Sequence, residues 1–174
     1  FMYSGHTFSF NISIVSTISN KIKQNFKQYK QHKQIQLIKT EENKIKLLDN
    51  SINDFISFCH YQTIVINNYN VFDLNYLANE YEIPQLIEAT NQYIINHKEL
   101  ILKQFLFNLN LNRSDNIIYE EAISRRLVEF INDDDLLELP ISSIHRILQQ
   151  NSSLNDDIKF NFLCKCLSKY GKQA

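Results

Sequence analysis

Glycine and proline are nearly missing from this chain. There are two of each in 174 residues, with one methionine and no tryptophan. With so little glycine, few backbone positions are expected to need a left-handed conformation, which argues against sandwiches, barrels and glycine-rich phosphate loops. Charge of one sign is also lacking. The formal net charge is −1, so no global field draws the chain to nucleic acid or to a membrane surface. The three cysteines, Cys59, Cys164 and Cys166, are an odd number without disulfide spacing, which fits a reducing intracellular compartment, cytoplasmic or nuclear. No apolar run approaches bilayer-spanning length, and no leader pattern is present. The chain opens at Phe1 and stops just after Tyr170-Gly171, so it reads as a piece of a longer protein.

What is there is a 44% hydrophobic, 12% aromatic composition, typical of a packed core. Residues 1–10 read as an aromatic hairpin turning at Ser4-Gly5, with Phe8 and Phe10 alternating. Residues 11–26 change to helical period through Ile14, Val15, Ile18 and Ile22. A polar connection follows at 27–44, in which Ile35 and Leu37 alternate as a short edge strand, and then a strand at 44–48. Ile52, Phe55, Ile56 and Cys59 stand at i, i+3, i+4 and i+7, an amphipathic helix. Residues 63–66, Thr-Ile-Val-Ile, are β-branched throughout and predict a strand.

Two more helices are expected behind that strand. Asn70 is placed to cap the first, with Asp73 in its opening turn and Val71, Leu74, Leu77, Ala78 and Tyr81 on its apolar face. Pro84 stands at the first position of the second, where a missing N–H costs nothing, and Leu86, Ile87, Tyr93 and Ile94 form its stripe. Beyond residue 97 strand signals cease. Helices are predicted over 100–109, through Ile123, Leu127, Phe130 and Ile131, from Asp133, from Pro140 with Ile141, Ile144 and Leu148 inward, and through Ile158, Phe162 and Cys166 to a stop at Gly171. The expected architecture is therefore α+β over residues 1–97 and all-α over 98–174.

The order of these elements resembles a BTB/POZ domain followed by a BACK-like helical region, of the divergent kind found in AT-rich protists. In the family signature an aromatic is followed three residues later by a histidine, then by an aliphatic pair, a serine and an aromatic, the last place being held here by the aliphatic Ile22. Phe8, Ile14, Val15, Ser19 and Ile22 occupy the corresponding places, and Asn11 stands where the histidine would be. Tyr61 lies near the family's turn tyrosine, followed by Gln62-Thr63 in place of Thr-Gly. Leu139-Pro140, within DDDLLELPISSIHRIL, matches the BACK-like region. The resemblance implies a small BTB/POZ-like sheet flanked by helices, followed by an all-α BACK-like region. It implies a non-enzymatic protein–protein interaction module, a scaffold or adaptor that uses no cofactor. Its expected partners are other proteins, through self-association or a cullin. Family adaptors bind the cullin through an apolar residue two before a glutamate. Residues 26–48 lack that pattern, since Glu41 follows Lys39-Thr40.

Candidate contact residues fall on the polar connection: Phe26 and Tyr29 as aromatic anchors, with Lys27 and Lys30 beside them. The wider run Lys21, Lys23, Lys27, Lys30, Lys33 and Lys39 admits a second reading, a weak nucleic-acid or anion surface. The absence of arginine from this Gln-rich run favours a merely solvated face. Cys164-x-Cys166 with His60 and His145 does not read as a zinc site, because residues two apart on a helix point about 200° apart. Cys59-His60 does not read as a nucleophile and base, because helical neighbours do not face each other. The acidic run from Asp133 to Glu138 lacks the glycine and closing glutamate of a calcium loop and reads as helix capping.

Overall fold

The computed structural model describes residues 2–3, 6–7, 11–26, 47–113, 116–151 and 155–171. The chain divides into two compact units, Phe1–Asn96 and His97–Ala174. Among the described residues the architecture is helical, with no sheet layer, and the expected α+β class is overturned. Among the described residues the only strand pairing is a ladder of β1 (Met2–Tyr3) with β2 (His6–Thr7), registered Met2 with Thr7 and Tyr3 with His6. Two residues a side is far too little to form a layer. Leu47 and Leu48 are not in a strand; the rest of the predicted 44–48 strand, Ile35 and Leu37 lie outside the described residues. Residues 63–66 are also not a strand. Their β-branched side chains suit extended backbone, but a strand needs a neighbour to bond, and none lies beside them among the described residues.

The first unit carries α1 (Ile12–Ile18), α2 (Asn20–Gln24), α3 (Asp49–Cys59), α4 (Val71–Glu80) and α5 (Pro84–Asn96). The single helix expected over 11–26 is broken at Ser19, which is extended at φ −102°, ψ 118°. The buried Ser19 hydroxyl accepts from the Ile22 N–H at 3.1 Å, which caps α2, and donates to the Tyr81 carbonyl. Beside it the Asn20 N–H donates to the Glu82 carbonyl at 3.0 Å. Those two long-range bonds hold the break open against the helical preference of its neighbours.

α4 and α5 form the most extensive pair in this unit. Pro84 does occupy the first helical position of α5. The sequence-predicted stripe is half right there: Leu86 and Ile94 are buried, Ile87 and Tyr93 only partly. Polar groups fill the rest of the seam. The buried Asn75 amide donates to Thr90 Oγ1 at 2.9 Å and to Asn91 Oδ1 at 2.8 Å, and Thr90 Oγ1 donates to the Leu86 carbonyl at 2.7 Å. Asn70 precedes α4 as expected but makes no side-chain cap. Its amide group donates instead to Asp54 Oδ2 and to the Val65 carbonyl, each at 2.8 Å.

The second unit carries α6 (Lys98–Asn110), α7 (Ile117–Arg125), α8 (Leu127–Phe130), a 3₁₀ turn (Asp134–Glu138), α9 (Ile141–Gln150) and α10 (Asp156–Tyr170). Phe105, Tyr119, Ile123, Leu127, Phe130, Leu136, Leu139, Ile147 and Phe162 form its core. Ile141, expected inward, is exposed. It follows directly on Pro140, and the helix buries the Ile144–Ile147 side instead. Ile158 is likewise exposed, whereas Phe162 and Cys166 are buried.

The scarcity of glycine has a structural answer. Among the described residues Tyr61, Glu82 and Asn112 have positive φ, at 58°, 51° and 53°. Each follows a helix and closes it with the same two bonds. Tyr61 N–H reaches the Phe58 carbonyl and Gln62 N–H the Ser57 carbonyl; the pairs are repeated at Glu82 to Asn79 with Ile83 to Ala78, and at Asn112 to Leu109 with Arg113 to Asn108. This is the Schellman closure, usually given to glycine. A side chain in that conformation costs about 1–2 kcal/mol. Gly171, by contrast, ends α10 at an ordinary φ of −68°. Replacing Glu82 with glycine keeps every backbone bond and relieves the strain. Allowing for the looser unfolded chain, E82G is expected to stabilise the first unit by about 0.5–1 kcal/mol, read by urea denaturation; a loss of stability would contradict this.

Candidate interaction surfaces

The residues that carried the family signature sit mostly in structural roles. Asn11 caps α1, its Oδ1 accepting from the Ser13 N–H at 3.0 Å. Val15 and Ser19 are buried, and Ile14 is half-buried. Leu139 is buried and the exposed Pro140 precedes α9. Phe8 lies outside the described residues, as do Tyr29, Lys27 and Lys30, so of the expected contact residues only Phe26 is placed, half-buried just past α2. Lys21 is occupied. Its ammonium donates to the Glu80 carboxylate at 2.6 Å and to the Glu80 carbonyl at 2.9 Å, and sits 5.8 Å from the Tyr81 ring centre. One end of the expected anion surface is therefore neutralised within the fold.

Tyr61 is where signature and geometry meet. The end of α3 leans on α1 through two contacts: the Tyr61 hydroxyl bonds Thr17 Oγ1, and the Asn11 N–H donates to His60 Nε2 at 3.2 Å. The left-handed backbone turns the Tyr61 side chain outward, 67% exposed, and Val65 and Tyr69 follow it at 73% and 85%. The strand expected over residues 63–66 gives no hint of this surface.

A second apolar surface lies on α10. Phe162 and Cys166 face the core of their unit, and Lys169 anchors the same side by donating to the Leu137 carbonyl at 3.0 Å. The other side presents Phe160, Leu163 and Leu167, 66%, 44% and 71% exposed. Spacings of three and four place them on one stripe. The signal was present in the sequence as a helix apolar on both sides, and only the inward stripe was read from it.

Two of the three thiols are buried. Burial pushes the Cys59 thiol up to about 12. Burial also raises Cys166, against a smaller lowering by its backbone and by the Lys169 charge. A thiol held protonated is a poor nucleophile. Cys164 is exposed on the opposite side of α10 from Cys166, the divergence that helical geometry requires. Burial raises the Asp73 carboxyl, which accepts from the Leu48 N–H at 3.0 Å and so caps α3 from a distance. Among the described residues no group of three or more His, Cys, Asp or Glu side chains could hold a metal ion, and no helix is long and apolar enough to cross a membrane.

An ion pair with a buried carboxylate ties α7 to α9. The Glu120 carboxylate is buried and receives Arg146 Nε at 2.7 Å and Arg146 Nη2 at 2.6 Å, a two-pronged bond. Burial by itself raises the Glu120 carboxyl; the Arg146 and Ser143 hydrogen bonds and the Arg146 charge outweigh it and hold it below its ordinary value. No family model matches the chain, and no curated protein matches it.

Two measurements follow from this chemistry. A carboxyl lowered on folding contributes stability that is complete above its unfolded value of about 4.3 and lost as the pH falls through the folded one. Unfolding free energy is therefore expected to drop below about pH 4, and E120Q to be less stable by about 1–3 kcal/mol at neutral pH with a flatter acid limb. An E120Q profile parallel to that of the parent would refute the assignment. Thiol titration of the native chain with an aromatic disulfide is expected to label Cys164 promptly, with Cys59 and Cys166 reacting only after denaturation; fast reaction at Cys59 would show its pocket to be open.

Proposed function

We propose that this chain is a non-catalytic protein–protein interaction module, acting as a scaffold or adaptor inside the cell. The observation that carries this reading is the outward stripe of α10. Three large apolar side chains on one helical face, backed by a core already filled from the other side, gain nothing from exposure to water and become useful when a partner covers them. The burial of Cys59 and Cys166 and the pairing of Lys21 with Glu80 and of Glu120 with Arg146 lean the same way, since they withdraw those groups from chemistry. The likeness to BTB/POZ–BACK sequences, resting on their helical segments alone, supports an interaction role; it does not extend to a sheet. A cullin as the partner draws no support from the segment that would have to bind it. The lysine surface is disfavoured by the Lys21–Glu80 pair.

The test is a paired substitution, L163E with L167E. Both side chains are already solvated, so stability is expected to change by less than about 0.5 kcal/mol. Affinity capture from the native cell type should recover a partner in stoichiometric amount with the parent chain and lose it with the double variant. Equal recovery by both, or no stoichiometric partner, would defeat the proposal.

A further inference from the structure

The segment after Tyr61 has an open backbone edge. Among the described residues nothing accepts the N–H groups of Thr63, Ile64, Val65 or Ile66. Such a row of unmet donors is what an edge strand presents. The bonds that do exist set its register. The Val65 carbonyl accepts from Asn70 Nδ2 at 2.8 Å, and the Asn67 N–H donates to Asn70 Oδ1 at 2.9 Å. Residues 65 and 67 thus turn their polar backbone toward Asn70, two apart, as extended chain does. Ile64 and Ile66, which precede them, turn theirs to the other edge, where among the described residues no group meets them. Side chains alternate in step: Thr63 and Val65 are exposed, Ile64 and Ile66 half-buried. Residues 62–68 carry no charge, so nothing electrostatic repels an approaching strand.

We propose that residues 63–66 bind an extended peptide segment of a partner protein by strand addition, with the N–H and C=O groups of Ile64 and Ile66 forming the ladder. Tyr61, Val65 and Tyr69 flank this edge and select a partner strand with β-branched or aromatic side chains at every second position. A second copy of this chain is a poorer occupant. A stable dimer buries about 800 Å² on each partner, which a four-residue edge cannot supply, whereas a peptide draws its affinity from the ladder itself. The turn at Asn67 and the strained corner at Tyr61 end the edge on both sides, so a short ladder is all that it accepts.

This inference rests on the reading of the chain as an interaction module but uses a different surface from α10, so the two fail separately. The probe is a library of short displayed peptides selected on the whole chain. Enriched peptides are expected to alternate apolar and polar residues with period two. They should slow amide exchange at Ile64 and Ile66 by about tenfold or more, and lose binding when alternate peptide nitrogens are methylated. I66P, which removes an N–H that bonds nothing in the free chain, should abolish their binding as well. Enrichment of helical-period peptides, an empty selection, or binding indifferent to N-methylation would overturn the proposal. So would protection of Ile64 and Ile66 that appears without peptide and grows with protein concentration, the mark of a second copy. In each of those cases loss of the captured partner by L163E with L167E still stands as its own test of the α10 surface.

Discussion

Helices must stop somewhere, and this chain stops three of them in the left-handed region without glycine. The constraint shapes both units. At Tyr61, Glu82 and Asn112 the backbone enters the left-handed region with a full side chain attached, and the same pair of closing bonds holds it there each time. Each corner then does something more. Tyr61 swings its ring outward and returns only its hydroxyl to Thr17. Glu82 offers its carbonyl to α2. Asn112 closes α6, whose buried Asn108 amide donates to Asn116 Oδ1 at 3.0 Å. Strain of this kind persists only where the surroundings hold it in place, and here the surroundings are neighbouring helices.

Polar groups inside both units have a related task. Apolar packing of leucine and isoleucine tolerates sliding. The Asn75–Thr90 bond between α4 and α5, and the Glu120–Arg146 fork between α7 and α9, do not. A shift of one helical turn would strand a buried carboxylate or amide at a cost well above that of an apolar mismatch. These pairs fix registry where the hydrophobic stripes leave it loose.

What could be read from residue order was whatever depends on near neighbours. Pro84, the Ile52–Cys59 stripe, the acidic start of the 3₁₀ turn and the divergence of Cys164 from Cys166 are all local, and all stand in the structure. The errors have a common source in distant contacts. Thr63 to Ile66 have the composition of a strand and, among the described residues, no strand to pair with. Ile141 and Ile158 continue a period of four that their helices do not bury. Scarce glycine predicts few left-handed turns, but Tyr61, Glu82 and Asn112 bear them instead. The α10 surface was written in the sequence as a doubly apolar helix, but which side meets the core is decided by the rest of the unit. The α+β assignment failed for the same reason, since it required strands whose partners the residue pattern could not supply.

The break at Ser19 is a decision taken far away. Ser19 and Asn20 meet the carbonyls of Tyr81 and Glu82 across a sequence separation of 62 residues in each case. Nothing between Asn11 and Phe26 requires an interruption, and its apolar residues follow one helical phase. The bend of the early segment and the corner behind α4 are therefore one coupled feature: a change at residues 81–82 that moves those carbonyls reaches α1 and α2 through Ser19 and Asn20.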